Sequence, residues 1–311
     1  MDRSVSSRLG PRPLFALLLA LLLLPAVAAA GPWTRDQGRF FVALTYTPIT
    51  AGGWYQPDFR KLDFPTPDGA PLRYSQHSVG FYGELGLVDR WLTVTLEGQP
   101  YRRSAFDGKS FSEGMGDWRV GFWSGLLTRP FRLTAALIAG VPIGDAAPQP
   151  KAGSAAIKEA PTLPLGDGEN DLEFRLSAGH SFGQARRWPL SHYLVAEFGY
   201  WLRSRGFAQA INYRLELGTK LPWRFIDRLW IILRFVGNES FIPSDRLQLE
   251  PITGLPNPTG IGHGVTYMVV GGELFFRVYR GLGVSVAIDI ALRARLLPAG
   301  AAPRLALTYE Y

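Results

Sequence analysis

The alternation of apolar and polar residues in the last thirty positions, 282–311, constrains the fold more than any other feature. Every second residue from Val284 to Leu292 is apolar, and the positions between them are small, polar or charged, as at Asp289. A period of two places the two sets on opposite faces of a β-strand. The alternation resumes after residues 298–303, with an apolar row of Leu305, Leu307, Tyr309 and Tyr311. The chain is therefore expected to end in a β-hairpin with one apolar and one polar face.

Two classes of protein end in such a hairpin. An aromatic residue at the end of the apolar row, here Tyr311, is typical of the closing strand of an outer-membrane barrel, where it is the signal for the barrel-assembly machinery. The alternative is the last hairpin of a soluble β-protein. The composition and the spacing of the remaining strands distinguish the two.

The composition excludes several kinds of site. The 311 residues include no cysteine, which excludes a disulfide framework, a thiol-ligated metal, a cysteine nucleophile and a lipoprotein anchor. Charged residues make up only 19% of the chain and apolar residues 47%, whereas about a quarter of a soluble domain is charged. The mixture is too polar for a helical membrane protein and suits a β-barrel with one face toward lipid.

The first thirty residues have the organisation of a secretory signal peptide. Three arginines precede an apolar run at residues 14–24, and a row of three alanines ends at Ala30. The run is shorter than the roughly 20 residues that a transmembrane helix needs, so we expect cleavage after Ala30 and a single mature domain, 31–311. Loss of those arginines lowers the formal charge of +7. The positive charge that remains does not require a nucleic-acid partner to explain it. An exported chain with no later apolar segment is expected in the outer membrane of a Gram-negative bacterium.

Twelve alternating segments follow, and the connections between them sort by length. Long connections are predicted at residues 48–73, 100–113, 145–170 and 240–262, each after an odd-numbered strand, whereas connections after even-numbered strands are mostly short. Bacterial barrels have an even number of strands, short periplasmic turns and long outer loops. A closed barrel also pairs every backbone group within lipid. The sequence therefore predicts an all-β fold, a transmembrane up-and-down antiparallel β-barrel of twelve strands.

The polar face of each strand predicts which side chains line the interior. The predicted lumen-lining acids are Glu84, Glu97, Asp117, Asp171, Glu173, Glu197, Glu216, Glu273, Asp289 and Glu310. The predicted lumen-lining bases are Arg119, Arg175, Arg214, Lys220, Arg234, Arg293 and Arg304. Segments 228–239 and 263–278 are apolar on both faces, so their orientation stays open apart from Arg234 and Glu273. Because the two signs nearly balance, we expect an ion-pair network that fills the lumen, with contact to a solute as the alternative.

The histidines and serines do not predict an enzyme. They are adjacent at 77–78, 180–181 and 191–192, but neighbours on a strand point to opposite faces. No His-x-x-x-His pair or carboxylate cluster predicts a metal site. We therefore expect no catalytic residue, no metal and no cofactor.

Three segments resemble a known outer-membrane family. They are Gly-Met-Gly-Asp-Trp-Arg-Val-Gly at 114–121, Val-Pro-Ile-Gly-Asp at 141–145, and the glycine-rich and acidic stretch at 166–183. Together they resemble the family labelled MetA-pathway of phenol degradation, over about residues 80–311, although Ile143 replaces the usual threonine. The resemblance implies a porin-like barrel for aromatic or other hydrophobic compounds, without catalytic residues. It also places Asp117 and Asp171 at the motif aspartates, which we expect to cap strand starts at the outer rim.

The expected function is passive uptake of a small hydrophobic or aromatic solute through a porin-like channel. The first long loop carries aromatic residues that are candidates for collecting the ligand: Trp54, Tyr55, Phe59 and Phe64. The expected partners are outer-membrane lipid, the assembly machinery and the solute. The alternatives are a structural or adhesive barrel without transport and, from a different class, a lipid-modifying hydrolase.

Overall fold

The computed structural model describes residues 33–64, 73–106, 110–129, 131–147, 163–182, 190–221, 228–242 and 260–311. The predicted signal peptide, 1–30, and parts of the long loops lie outside these residues. Among the described residues, no helix is long and apolar enough to cross a membrane.

Twelve strands of the described residues form one barrel. They are β1 (Phe40–Ala51), β4 (Tyr74–Val88), β5 (Leu92–Phe106), β7 (Trp118–Leu127), β8 (Arg132–Val141), β9 (Asp171–Phe182), β10 (Ser191–Arg203), β11 (Ala210–Lys220), β12 (Leu229–Ser240), β13 (Thr266–Tyr279), β14 (Leu282–Arg295) and β16 (Ala302–Glu310). Four short strands lie outside the barrel wall or extend it. They are β2 (Gly53–Tyr55), β3 (Lys61–Asp63), β6 (Ser110–Gly114) and β15 (Leu297–Pro298).

The barrel closes between its first and last strands. Each barrel strand pairs antiparallel with its neighbours along the chain, and β1 pairs antiparallel with β16 from Phe41 opposite Glu310 to Tyr46 opposite Leu305. Closure removes the free sheet edge, so backbone groups of the wall pair within the sheet. The predicted twelve-stranded antiparallel barrel is confirmed.

The two faces of the wall differ as the alternation predicts. On β9, Leu176 is 53% exposed, whereas the next residue, Ser177, is 1% exposed. Large apolar side chains are exposed in the same way on the other strands, among them Leu44, Leu85, Phe122, Leu137, Phe198, Leu215, Val286 and Leu307. They form an outer apolar belt around the barrel, and the polar rows face the interior.

The orientation of β12 and β13, which the sequence leaves open, follows from their exposed leucines. Leu233 and Leu274 are more than half exposed and belong to the apolar belt. Arg234 and Glu273, which are their neighbours in sequence, face the interior and form an ion pair with each other.

Two strands extend beyond their predicted ends. The connection predicted at 100–113 is instead the end of β5 and the strand β6. Tyr101 pairs with Val79 and Gly98 with Phe81, so β5 carries an extra residue there, and this bulge accommodates Pro100, which has no N–H to donate. Similarly, β1 continues through Pro48, because its pairing with β16 has already ended at Tyr46.

The two ends of the barrel are built differently. At the turn end, where the short connections lie, the segment 33–39 crosses the mouth of the barrel. Gly38 N donates to Gly86 O (2.9 Å), and Arg35 N donates to Thr93 Oγ1 (2.7 Å). The segment ends at Trp33, whose ring lies 6.0 Å from that of Tyr193 on β10. Because β1 and β10 lie on opposite sides of the barrel, this segment spans the opening.

At the loop end, connections from several strands fold together into a cap. Strands β15, β2 and β3 form a separate three-stranded sheet. Beneath it, Phe64 and Leu163 from two loops pack with Tyr74 and Phe106 at the tops of β4 and β5. Trp54 contacts this cluster and also a second one around Val265 and Leu296, so it joins the two halves of the cap.

Candidate functional site

The interior of the barrel is the candidate site, and its centre is an ion-pair cluster of residues from β5, β7 and β9. Glu173, whose side chain has no exposed surface, accepts from Arg119 Nη2 (2.7 Å) and from Arg175 Nε (2.6 Å). Arg119 also contacts Glu97 (3.4 Å) and Asp171 (3.1 Å). On β5, β7 and β9 these residues alternate along the strand with residues of the apolar belt. Their side chains therefore point into the barrel and toward one another.

Two further clusters continue the network around the wall. Arg214 and Glu216 form an ion pair, and Tyr193 Oη donates to Glu216 Oε1 (2.7 Å). On the other side, Asp289 lies between Arg304 Nη2 (3.0 Å) and Arg234 Nε (3.7 Å). Glu197 accepts from Ser177 Oγ (3.1 Å).

At the turn end, an arginine that precedes the first strand completes the network. Arg35 Nε lies 2.5 Å from Glu84 Oε2, and Arg35 also pairs with Glu310. Tyr82 Oη donates to the other oxygen of Glu84 (2.8 Å). Arg35 thereby ties the segment 33–39 to both the second and the last strand of the barrel.

At the loop end, a further set of charges binds the outer loops to the strand ends. Arg203 pairs with Glu169, contacts Asp167 Oδ2 (2.8 Å) and donates to Gly262 O (2.8 Å). Asp117 accepts from the backbone N–H groups of Gly144 (2.9 Å) and Asp167 (2.8 Å). Asp117 therefore holds two ends of the β8–β9 loop, whereas Asp171 lies at the first position of β9 and binds Arg119.

Burial shifts the pKa values of the acids in this loop-end set. Burial raises the pKa of Glu169, which is 1% exposed, to about 8, against the lowering effect of Arg203. Burial also raises the pKa of Asp117 to about 6. For His263, burial and the nearby Arg203 and Arg295 lower the pKa. Two carboxyl groups that bind the cap, Asp117 and Glu169, therefore have pKa values raised to about 6 and about 8.

Arg293 lies elsewhere than the alternation predicts. Met268 pairs with Arg293 and Val269 with Ala291, so Leu292 is an extra residue on β14, and the side chains beyond it exchange faces. Arg293 contacts Glu239 (3.2 Å) on the outside of the wall, and its guanidinium lies 3.9 Å from the ring of Phe59. Lys220 is the last residue of β11. It lies at the turn end of the barrel and pairs with Trp230 of β12.

The four aromatic ligand-collecting candidates belong to the cap. Phe64 is buried and packs edge to face on Phe106 (5.1 Å), and Trp54 is half-buried between the two clusters. Tyr55 pairs with Leu297 in the small sheet. Phe59, at the hairpin tip, has a φ of 70°, and its ring contacts the guanidinium groups of Arg293 and Arg295.

Below the cap lies a cavity of about 190 Å³. Its polar lining consists of Gln76, Arg102 and Asp289, and its remaining lining is glycine or apolar: Ile49, Gly260, Val269, Ala291, Leu297, Pro298, Gly300 and Ala302. Sequence reasoning missed Arg102, because Pro100 was taken to end the strand. It also missed Arg203 as an interior residue, although Arg203 continues the spacing of Glu197 and Trp201 on β10; the guanidinium of Arg203 lies 4.5 Å from the Trp201 ring.

Sequence reasoning also missed a Gly-x-Ser-x-Gly motif. Residues 179–183 read Gly-His-Ser-Phe-Gly, which has the letters of the nucleophile elbow of hydrolases. That elbow requires a sharp turn from a strand into a helix, whereas Ser181 continues the extended strand β9 and pairs with Tyr193. His77 binds Tyr46 Oη (2.7 Å) and His263 accepts from the Ala208 N–H (3.2 Å), whereas His180 and His192 both stack on the ring of Phe182. The elbow geometry is therefore not formed.

Comparisons with known proteins agree with the architecture. No protein-family model matches the sequence, and the search of curated proteins finds no match. Among solved structures, the COG4313 outer membrane channel from Pseudomonas putida F1 is similar over 92% of this chain and 100% of that chain, with a TM-score of 0.58 and 12% identity. The beta domain of the Bordetella autotransporter BrkA matches with a TM-score of 0.45 and 11% identity, over 88% of this chain and 100% of that one. The first similarity shows that this chain has the fold of an outer-membrane β-barrel.

Proposed function

We propose that this protein is a porin-like channel of the Gram-negative outer membrane that passes a small hydrophobic or aromatic solute by passive diffusion. The observation that carries the proposal is the cavity below the cap, which lies inside a closed barrel and is lined mainly by apolar side chains. Ligand sites are typically apolar with a few convergent polar groups. Gln76, Arg102 and Asp289 supply such groups here.

The size of the cavity supports a single small solute. An apolar cavity of about 150 Å³ in another protein binds benzene, and this one measures about 190 Å³. A ring with one polar substituent would therefore fit. The resemblance of residues 114–121 and 166–183 to a family associated with aromatic compounds supports the same solute class.

The electrostatics of the interior argue against an ion-selective pore. Such pores present one sign of charge at the constriction, whereas here Glu173 binds two arginines and Asp289 binds two others. The paired charges leave no strong field of one sign. The lumen would thus select by size and apolar contact.

The membrane location and the partners follow from the same fold. The outer apolar belt would contact lipid, and the C-terminal strand ending at Tyr311 would engage the barrel-assembly machinery after removal of residues 1–30. No catalytic residue, metal or cofactor enters this proposal. A second candidate, a structural or adhesive barrel without transport, is favoured by the segment 33–39 across one mouth and the cap over the other.

Liposome swelling with the refolded full chain distinguishes the two candidates. We expect phenylalanine to enter faster than the smaller sugar arabinose, because the aromatic ring gains apolar contact in the cavity. Ala291 lines the cavity, and its neighbour Ile290 is half exposed on the belt, so Ala291→Trp should abolish entry while Ile290→Trp should not. If no small solute enters faster than it enters protein-free liposomes, the channel proposal is overturned in favour of the structural barrel.

A further inference from the structure

Charged side chains are distributed unequally between the two ends of the barrel. Among the described residues that are not buried, the turn end carries a large excess of bases: Arg39, Arg90, Arg129, Arg132, Lys220, Arg228, Arg277 and Arg280. The acids there are Asp36, Asp89, Glu84 and Glu310, and the last two pair with Arg35. At the loop end the two signs are mixed, as at Arg60, Lys61, Asp58, Asp63, Arg293 and Glu239. Net positive charge is therefore concentrated at one rim.

Three of these bases form a patch, Arg39, Arg228 and Arg280, which we call the turn-end arginine patch. Arg39 precedes β1, Arg228 precedes β12 and Arg280 lies in the β13–β14 turn. Strands β1, β16, β14, β13 and β12 follow one another around the wall, so the three cations lie along one continuous arc of the rim. No carboxylate of the described residues forms an ion pair with them.

Aromatic rings hold these guanidinium groups at the edge of the apolar belt. The guanidinium of Arg39 lies 5.2 Å from the ring of Tyr311, and that of Arg280 lies 5.3 Å from the ring of Tyr279. Arg228 Nη1 donates to Val278 O (2.8 Å), and Val278 and Tyr279 are both exposed on the outside of the wall. Tyrosine rings mark the level of lipid headgroups, and arginines beside them reach the interface from an apolar surface.

We propose that the turn-end arginine patch binds the phosphate groups of anionic phospholipids in the leaflet at that end of the barrel. Guanidinium groups bind phosphate through paired N–H donors, and the excess of cations favours lipids with a net negative charge over zwitterionic ones. The belt immediately beside the patch receives the acyl chains. This inference rests on the membrane location proposed above and is independent of the transported solute.

Electron spin resonance on the reconstituted full chain tests the proposal. The protein is placed in phosphatidylcholine bilayers that contain trace spin-labelled phosphatidylglycerol or spin-labelled phosphatidylcholine, and the motionally restricted fraction of each label is measured. We expect phosphatidylglycerol to be preferred by about threefold or more at low salt, with the preference falling as salt screens the cations. In the variant R39Q/R228Q/R280Q, the ratio of restricted phosphatidylglycerol to restricted phosphatidylcholine should fall close to one.

A matched variant controls for the change in total charge. R60Q/K61Q/R103Q removes three cations from the loop end, and its preference should equal that of the unaltered chain. Equal restriction of both labels by the unaltered chain would overturn the inference, as would a preference that survives in R39Q/R228Q/R280Q or is lost in the control. Absence of any restricted lipid would overturn the membrane location itself, and the inference with it.

Discussion

The ring of Trp33 meets the ring of Tyr193 edge to face, 6.0 Å away, although the two residues approach from opposite sides of the barrel. The guanidinium of Arg132 lies 5.9 Å from the same indole ring. The segment before the first strand is therefore anchored at its far end, and it narrows the turn-end mouth.

Replacing Trp33 with alanine should widen the path through this mouth. The shorter side chain loses its contacts with Tyr193 and Arg132, while Arg35 still holds the segment to Glu84. We expect a larger single-channel conductance in planar bilayers than for the unaltered protein. Trp91→Ala is the control, because Trp91 lies in the turn before β5 at the same end and is 58% exposed. A conductance that is unchanged by Trp33→Ala would mean that the segment does not limit passage.

Replacing Glu173 with glutamine should destabilise the barrel strongly. Glu173 accepts from Arg119 and Arg175 with no exposed side-chain surface, and breaking a buried pair costs about 3–5 kcal/mol because a charge is left uncompensated. Urea unfolding in lipid vesicles measures this cost. The control, Glu239→Gln, removes a carboxylate that is one-third exposed on the outside of the wall, and its cost should stay below about 1 kcal/mol. Similar costs for the two variants would contradict a charge network inside the barrel.

The cap should loosen as the pH rises. The pKa of Glu169 is about 8 in the folded cap and near its ordinary value of 4.5 when the loop is open. The folded cap therefore binds the proton more tightly, so its stabilising contribution is complete below pH 4.5 and is lost as the pH rises through about 8. Hydrogen exchange of residues 163–170, corrected for the intrinsic effect of pH, should show less protection at pH 9 than at pH 5.

Glu169→Gln is the matched control for this pH effect. Glutamine keeps the neutral form at every pH, so the loss of protection between pH 5 and pH 9 should be smaller in this variant than in the unaltered chain. Protection that is equal or greater at pH 9 in the unaltered chain would contradict the direction of the shift.

Side-chain alternation predicted the wall of the barrel but not the positions where the alternation shifts. Arg234 and Glu273 indicated the inner face on two strands whose orientation the sequence left open, and the exposed Leu233 and Leu274 establish that orientation. By contrast, the extra residue Leu292 moved Arg293 to the outside, and nothing in the local sequence distinguishes a bulge from a regular strand. Arg102 was likewise not predicted as an interior residue, because the strand was expected to end at Pro100 and not to continue past a bulge.

The contents of the two mouths depend on contacts between distant segments, which strand periodicity does not report. Trp33 and Arg35 precede the first strand, and their partners Tyr193 and Glu310 lie far along the chain. Trp54 and Phe64 were recognised as aromatic loop residues. Their packing against the ends of the strands could not be predicted, because it depends on how the separate loops fold against one another.

The most direct test of a barrel with its apolar row in lipid is a comparison of two adjacent positions on β9. The chain has no cysteine, so Leu176→Cys and Ser177→Cys each provide a single site for an environment-sensitive fluorophore in the reconstituted protein. A label at 176 should emit at shorter wavelength and be quenched by nitroxides attached to lipid acyl chains, whereas a label at 177 should escape that quenching. Equal quenching at both positions, or stronger quenching at 177, would contradict the proposed orientation of the wall.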